Sequence, residues 1–596
     1  MFTTRPEIRG TFGVVTSTHW VASAVGMAAL ERGGNAFDAG VACGFTLQVV
    51  EPHLNGPGGD LPAIFYSKRE DRVRVLCAQG PAPAAATIKA YRDLDLDLIP
   101  GSGFLAAVVP GAFDGWLTLL RDYGTHSLRD VLTPAIGYAR NGYPVVERIT
   151  ATVETVRELF ETEWPTSAAV YLKGGAAPQP GTLFANPTMA DTYQRILTEA
   201  EAGGGSREAV IDRARAIWAK GWVAATIDRF VHGEPMMDVS GRRHRGLLTA
   251  QDMADWQCHY EEPTTYDYGR YRVCKGGPWS QGPAMLQALA ILDGMGVKDM
   301  DPTGPDFVHA VTEAIKLAFA DREAFYGDPD FVDVPMQTLL SSEYNAERRK
   351  LIGERASLDL RPGTVAGYDR SIDAALGVDT TVDPRAMERM GVGEPTVSKS
   401  GVSSGDTVHM DIIDCHGNMF SATPSGGWLQ SSPIVPELGF CLGNRAQMFW
   451  LDERSPSALA PKKRPRTTLS PGLALRDGEP YLAFGTPGGD QQDQWSLLLF
   501  LHHADHGMNL QEAIDCPAFH SEHFPSSFWP RGRQPGRVVL EGQFPTATTD
   551  ALTKRGHNVQ VGEDWSEGRL TAAAKDGEML KAAANPRGMQ GYAIGR

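Results

Sequence analysis

The sequence predicts an α+β protein, with helices dominating its first half and strands its last third. Three observations carry that expectation. Before residue 331, several long stretches place apolar residues three and four apart, the spacing of an amphipathic helix. From residue 407 onward, short apolar runs alternate with turn residues, as strands do. Between the two, residues 353–405 lose apolar content and gain Gly, Ser, Pro and charge, the composition of a linker or exposed loop.

The elements follow in chain order. STHWVASAVGMAALERGGNAFDAGVACGFTLQVV (17–50) reads as helix, with a stop and restart at Gly33-Gly34-Asn35. LNGPGGDLPAIFYS (54–67) is a glycine turn and then a strand. RVRVLCAQGPAPAAAT (72–87) is a second strand running into a Pro/Ala loop. Residues 111–230 read mostly helical. DFVHAVTEAIKLAFADREAFYGDPDF (306–331) is the clearest helix, with Val308, Val311, Ile315, Leu317, Ala318 and Phe319 on one face and Gly327-Asp328-Pro329 as its stop. After the linker, TVHMDIID, GNMFSATP and TTLSPGLALRDGEPYLAFG supply strands.

Composition removes several function classes. The 596 residues suffice for a large core, and 42% hydrophobic with 21% charged residues is ordinary globular usage. A net charge of -16 repels phosphate backbones, so nucleic acid is a poor partner. The seven cysteines are odd in number and form no Cys-x-x-Cys pair, which argues against a disulfide framework and a zinc ribbon. No stretch approaches the ~18–20 apolar residues of a membrane helix. MFTTRPEIRGTFGVV lacks a basic stretch followed by a long apolar one, so a cytoplasmic location is expected. GVSSG (401–405) fits a nucleophile elbow only in its letters, because a polar loop precedes Ser403 and a strand follows. His502, His503, His506, His520 and His523 lack a metal-ligand spacing and read as surface histidines. No phosphate loop is present, and neither cofactor nor metal is expected. NGPGGD (55–60) is either a tight turn or an anion-binding loop.

Thr407 opens the first strand after the linker, in GDTVHMDIID (405–414). An ordinary strand threonine is the simple account. The alternative is a masked chain terminus. A threonine hydroxyl is a weak nucleophile without a base beside it. Cleavage of the Asp406–Thr407 bond frees an α-amine with a pKa of about 7.7–8.0, which can take the hydroxyl proton. Gly488-Gly489, after the strand YLAFG, offer backbone N–H groups to a developing oxyanion.

The stretches GGNAFDAGVA (33–42), LNGPGGD (54–60), PGAFDGW (110–116), LLTAQDMADW (247–256), EAIKLAFADREAFYGDPDF (313–331), DTVHMDIIDCHGNMFSAT (406–423), KRPRTTLSP (463–471) and GTPGGD (485–490) give the chain a further reading. In this order they resemble the γ-glutamyltranspeptidase family of N-terminal-nucleophile hydrolases, across nearly the whole length. The resemblance implies a four-layer αββα sandwich made as one precursor. Self-cleavage before Thr407 then gives a large subunit, 1–406, and a small one, 407–596, sharing one core. It implies Thr407 as nucleophile, Ser425 where a Thr positions the nucleophile's amine, Thr467 and Thr468 on a substrate-contacting Ser pair, and Gly488 and Gly489 as the oxyanion hole.

Two departures bear on the substrate. The family's Arg for the glutamyl α-carboxylate falls on Gln79 in AQGPAP (78–83), and its Asp for the α-amine falls on Met448 in GNRAQMF (443–449), three residues after Arg445. An amide does not reproduce bidentate carboxylate recognition, and a thioether gives an ammonium no counter-charge. Gly427 stands where the family has an Asn. The expected activity is therefore hydrolysis of a small-molecule amide through an acyl-Thr407, with a substrate other than the standard γ-glutamyl one. Arg445 is the residue expected to meet an anionic group. The alternatives are a conventional γ-glutamyltransferase or glutathione hydrolase, an oxamate-type amidohydrolase, acylase or carbon–carbon bond hydrolase, and a non-catalytic scaffold. An oligomer is compatible with all of them.

Overall fold

Met410–Asp414 has two faces with different work. Met410 and Ile412 join a helix-facing apolar cluster with Val15, Phe65 and Phe420, whereas Ile413 joins a second cluster with Val14, Cys274, Leu473 and Ala573. The alternation of a strand thus separates a helix–sheet core from a sheet–sheet core. The computed structural model describes residues 3–378, 407–589 and 591–596.

The strand belongs to a seven-stranded antiparallel sheet in the order Tyr592–Gly595, Gly13–Ser17, Met410–Asp414, Met419–Ala422, Leu61–Ser67, Arg72–Ala78, His259–Glu261. A second antiparallel sheet runs Ile8–Gly10, Met579–Ala584, Thr571–Asp576, Glu479–Gly485, Gly472–Arg476, Tyr271–Lys275, Thr264–Tyr268. Helices including Trp20–Glu31, Ala36–Val50 and Ala112–Tyr123 cover the first sheet. Gly282–Leu292, Pro305–Phe325 and Gln492–Ala504 cover the second. The layers are helix, sheet, sheet, helix, the αββα sandwich that the sequence leads one to expect. Each sheet takes strands from both sides of residue 406, so any fragments cut there share one core. Among the described residues no helix is long and apolar enough to cross a membrane.

Local signals fix the helix that packs on Met410–Asp414. Asn35 caps Ala36–Val50 in a capping box with Asp38. The first amide of that helix, Ala36 N, donates to Asp414 Oδ2 at 2.8 Å, tying the helix start to the strand end.

Two expectations change. The segment 353–378 contains a helix, Asp369–Leu376, that buries Ala374 and Ala375, so it is not wholly an exposed linker; residues 379–406 lie outside the described residues, and with them Ser403 and Asp406. The C-terminal histidines are not all at the surface. His502, His520 and His523 are buried because each ring has a partner inside the fold: Ala513 O, Glu567 and Asp359 O respectively.

His520 yields a pH prediction. Burial alone would lower its pKa, but the carboxylates of Glu567 and Glu522 outweigh burial and raise it to about 10. A folded pKa above the ordinary ~6.5 contributes stability that is full below ~6.5 and lost as pH rises through about 10. The melting temperature is expected to fall between pH 7 and pH 10. The fall should be shallower in a His520→Gln, Glu567→Gln double variant, and equal slopes would remove the pair from the account.

Candidate functional site

Thr407 is buried and forms an antiparallel bridge with Ser425. Their hydroxyl oxygens lie 3.1 Å apart, and Val408 N donates to Pro424 O at 3.1 Å. Ser425 is held from its other side. Its N–H donates to Asp60 O at 3.1 Å, and Asp60 N donates back to Ser425 O at 2.8 Å. The glycine turn 55–60 is therefore one wall of the site, and its tight-turn role is filled. At Gly427, φ is +65°, and a Cβ there would come within 2.9 Å of Gly59 N. That close approach, with the positive φ, accounts for glycine at this position.

The Asp60 carboxylate is buried and accepts from Arg445 Nε at 2.9 Å. Burial raises its pKa above the usual carboxylate range, against the opposing pull of Arg445. Arg445 is thus an interior ion-pair partner, not a surface residue, and its guanidinium lies 5.2 Å from the Trp428 ring centroid. Gln79 is buried beside Asp60, and neither of its amide atoms has a hydrogen-bond partner among the described residues. Met448 is buried at the end of the short 3-10 turn Arg445–Met448.

Behind Thr407 the inward positions of its strand are polar. His409 Nδ1 is 2.9 Å from Thr423 Oγ1, and His409 Nε2 is 3.1 Å from both Asp411 oxygens. Asp411 also accepts from Ser421 Oγ at 2.8 Å and Thr571 Oγ1 at 2.7 Å. This network joins the two sheets at Met410–Asp414. A Cβ at Gly485 would come within 2.4 Å of the His409 ring, so glycine lets the second sheet approach there.

Gly485 ends the strand that leads to Gly488-Gly489. Gly488 has φ +112°, and a Cβ there would meet Trp495 at 2.5 Å. Gly489 O accepts from Gln281 Nε2 at 3.2 Å. Thr467 N donates to Trp279 O at 2.8 Å, while the buried Thr468 hydroxyl has no partner among the described residues. The glycine and threonine pairs are linked by charges. Asp490 binds Arg322, Arg322 binds Glu323 at 2.8 Å, and Glu323 binds Arg466 at 2.7 Å, next to Thr467. Burial would raise Glu323, but Arg466, Arg322 and Arg531 outweigh it and hold its carboxyl at about 2.

The structure thus brings Thr407, Ser425, Asp60, Gln79 and Arg445 into one cluster. The ion pairs Asp490–Arg322–Glu323–Arg466 connect the residue after the glycine pair with the residue before Thr467-Thr468. Sequence reasoning assigned no role to Asp60, His409, Asp411 or Glu323. The one available signal was the polar pair His409 and Asp411, two apart on a strand whose other face is apolar.

A family model described as Gamma-glutamyltranspeptidase matches residues 22–595. The chain is 30% identical to the Glutathione hydrolase-like YwrD proenzyme of Bacillus subtilis (strain 168), over 99% of each chain. It is 54% identical to the solved structure of LmbA2991HD, with a TM-score of 0.93 over 100% of both chains. It is 28% identical to the crystal structure of cephalosporin acylase from Bacillus halodurans, with a TM-score of 0.82, over 100% of this chain and 98% of that one.

Proposed function

Because the chain belongs to the gamma-glutamyltranspeptidase family, and so is an enzyme of the self-processing N-terminal-nucleophile type, we propose that its nucleophile is Thr407, released by cleavage of the Asp406–Thr407 bond. The observation that carries this reading is the 3.1 Å approach of the Thr407 and Ser425 hydroxyls, with Ser425 clamped on Asp60. In turnover, the free α-amine of Thr407 takes the hydroxyl proton as Oγ1 attacks the substrate carbonyl carbon. Backbone N–H groups at Gly488-Gly489 stabilise the oxyanion. Collapse breaks the C–N bond, the leaving amine departs with the proton, and an acyl ester remains on Thr407. Water, deprotonated by the same amine, then attacks the ester, giving a carboxylic acid and the free hydroxyl. The net reaction is amide plus water to acid plus amine.

The substrate is a small-molecule amide outside the standard γ-glutamyl set. Gln79 and Met448 provide neither the cation nor the anion that reads an α-amino acid, and Arg445 is engaged by Asp60. Thr468, with its unpartnered hydroxyl, is the residue of its pair best placed to contact substrate. A panel of γ-glutamyl, oxamate, acyl and dicarboxylic mono-amides, with mass spectrometry of trapped adducts, tests this. The expected result is an acyl adduct on Thr407 from a donor other than γ-glutamyl anilide. An adduct on another residue, or γ-glutamyl turnover as fast as that of a true transpeptidase, contradicts the reading.

A further inference from the structure

Gln281 stands where a helix cap belongs and does something else. It is the N-cap residue of the helix Gly282–Leu292, a place that favours Ser, Thr, Asp or Asn, and its side chain makes no capping bond. The amide is fully buried and has its partners outside that helix. Nε2 donates to Gly489 O at 3.2 Å, and Oε1 accepts from Arg322 Nη1 at 2.8 Å. A guanidinium only donates and a carbonyl only accepts, so one orientation of the amide satisfies both.

Two further ties make this segment a bracket. Arg322 Nη1 also donates to the Asp490 carboxylate, so Gln281, Arg322 and the Gly489-Asp490 peptide close a ring. Asp490 is held besides by Ser527, whose N donates at 2.8 Å and Oγ at 2.6 Å. On the other side, Ser280 bridges Thr467, and Thr467 N donates to Trp279 O at 2.8 Å. Residues 279–281 thus hold the Thr467 backbone directly and the Gly489 carbonyl through a side chain.

A glycine pair needs such support, because without Cβ atoms its torsions are nearly free. Gly488, at φ +112°, is backed by the Trp495 ring. Gly489 is fixed by its carbonyl, which accepts from Gln281 Nε2 and from Gln492 N, each at 3.2 Å. An oxyanion hole works when its donors are aimed before the charge develops.

We infer that Gln281 is a positioning residue for the oxyanion hole. By pinning the Gly489 carbonyl it limits rotation of the glycine peptides and sets their place relative to Thr467-Thr468. This rests on the proposed acyl-Thr407 chemistry and on Gly488-Gly489 as its oxyanion donors.

Two variants test it. Gln281→Glu keeps an acceptor for Arg322 and turns a second acceptor toward Gly489 O. Gln281→Met keeps the length of the side chain and neither bond. With the best donor of the amide panel, both are expected to lose about 10- to 100-fold in kcat, less than outright removal of an oxyanion donor. KM should stay within about threefold, because the lost interaction is one made in the transition state. Boric acid supplies a readout that a loosened fold does not move in step with kcat. It takes up the Thr407 hydroxyl as a tetrahedral borate ester, the proton passes to the α-amine, and a borate oxygen stands where the oxyanion forms. Its inhibition constant is expected to rise by the factor that kcat falls. An unchanged kcat in Gln281→Glu, a change confined to KM, or a lower kcat with unchanged inhibition by boric acid overturns the inference. If Gln281→Met does not fold, Gln281→Glu decides. If neither gives a folded, processed enzyme, Gln281 serves the fold and the inference is overturned. A wild type that yields no Thr407 adduct from any donor fails the nucleophile itself; an adduct in the wild type with unchanged kcat in Gln281→Glu fails the positioning role alone.

Discussion

Thr407→Ala is expected to give a single uncut chain of 596 residues and to lower turnover by at least about a thousand-fold. The size of the effect follows from the double role given to one residue. In the proposed mechanism the hydroxyl both cuts the precursor and carries the acyl ester, and in turnover its own amine is the base. Ser425, whose hydroxyl faces Thr407 and whose backbone pairs with that of Asp60, has no α-amine of its own to act as base. A denaturing gel and an assay with the best substrate of the panel check both parts. A variant that still splits into two fragments and still turns over substrate removes Thr407 from the mechanism. Thr407→Ser, which keeps a hydroxyl, should still process, more slowly.

Asp411→Ala is expected to be the most damaging change away from the nucleophile, lowering stability by about 3–5 kcal/mol. The carboxylate is fully buried between the sheets and accepts from Ser421 and Thr571, with His409 Nε2 at 3.1 Å and Thr16 Oγ1 at 3.3 Å. Truncation leaves those donors facing an apolar interior, and each orphaned group has a desolvation cost. The strand Met410–Asp414, three residues after Thr407, loses its tie to Thr571 in the other sheet, so precursor cleavage should slow as well. Urea midpoints measure the first effect and the fraction of uncut chain the second. A stability change below about 1 kcal/mol would mean that the network tolerates the loss and that the hydroxyls find other acceptors.

The features legible in the sequence are those set by neighbours along the chain. The break at Gly33-Gly34-Asn35 is there because Asn35 caps the second helix, a local device with a local signature. The strand at 410–414 and the glycine turn at 55–60 are likewise where their patterns place them. The helix Pro305–Phe325 shows the limit. Its apolar spacing is plain, yet its polar side is not a solvated one. Glu313, Lys316, Asp321, Arg322 and Glu323 are all buried, because each is bound by residues that arrive from elsewhere in the chain or on the helix itself. Periodicity distinguishes apolar from polar faces, and does not distinguish a polar face in water from one inside a charge network.

The site divides in the same way. Thr407, Ser425, the glycine pair and Thr467-Thr468 lie in contiguous motifs and could be named from a resemblance. The Asp60–Arg445 pair spans 385 positions, and the Arg322–Asp490 pair spans 168; no spacing rule reaches that far. Buried histidines were misread for the same reason, since His520 is satisfied by Glu567 from a distant strand connection. The departures at Gln79 and Met448 were visible as residue types. Their meaning depended on seeing that Arg445 is already paired with Asp60.

The measurement closest to the central claim is the intact mass and N-terminal sequence of the purified, active protein. The account predicts two chains, with the smaller beginning Thr407-Val408-His409 and ending at Arg596. An active protein that remains a single chain, or a small chain that begins at any other residue, would contradict it.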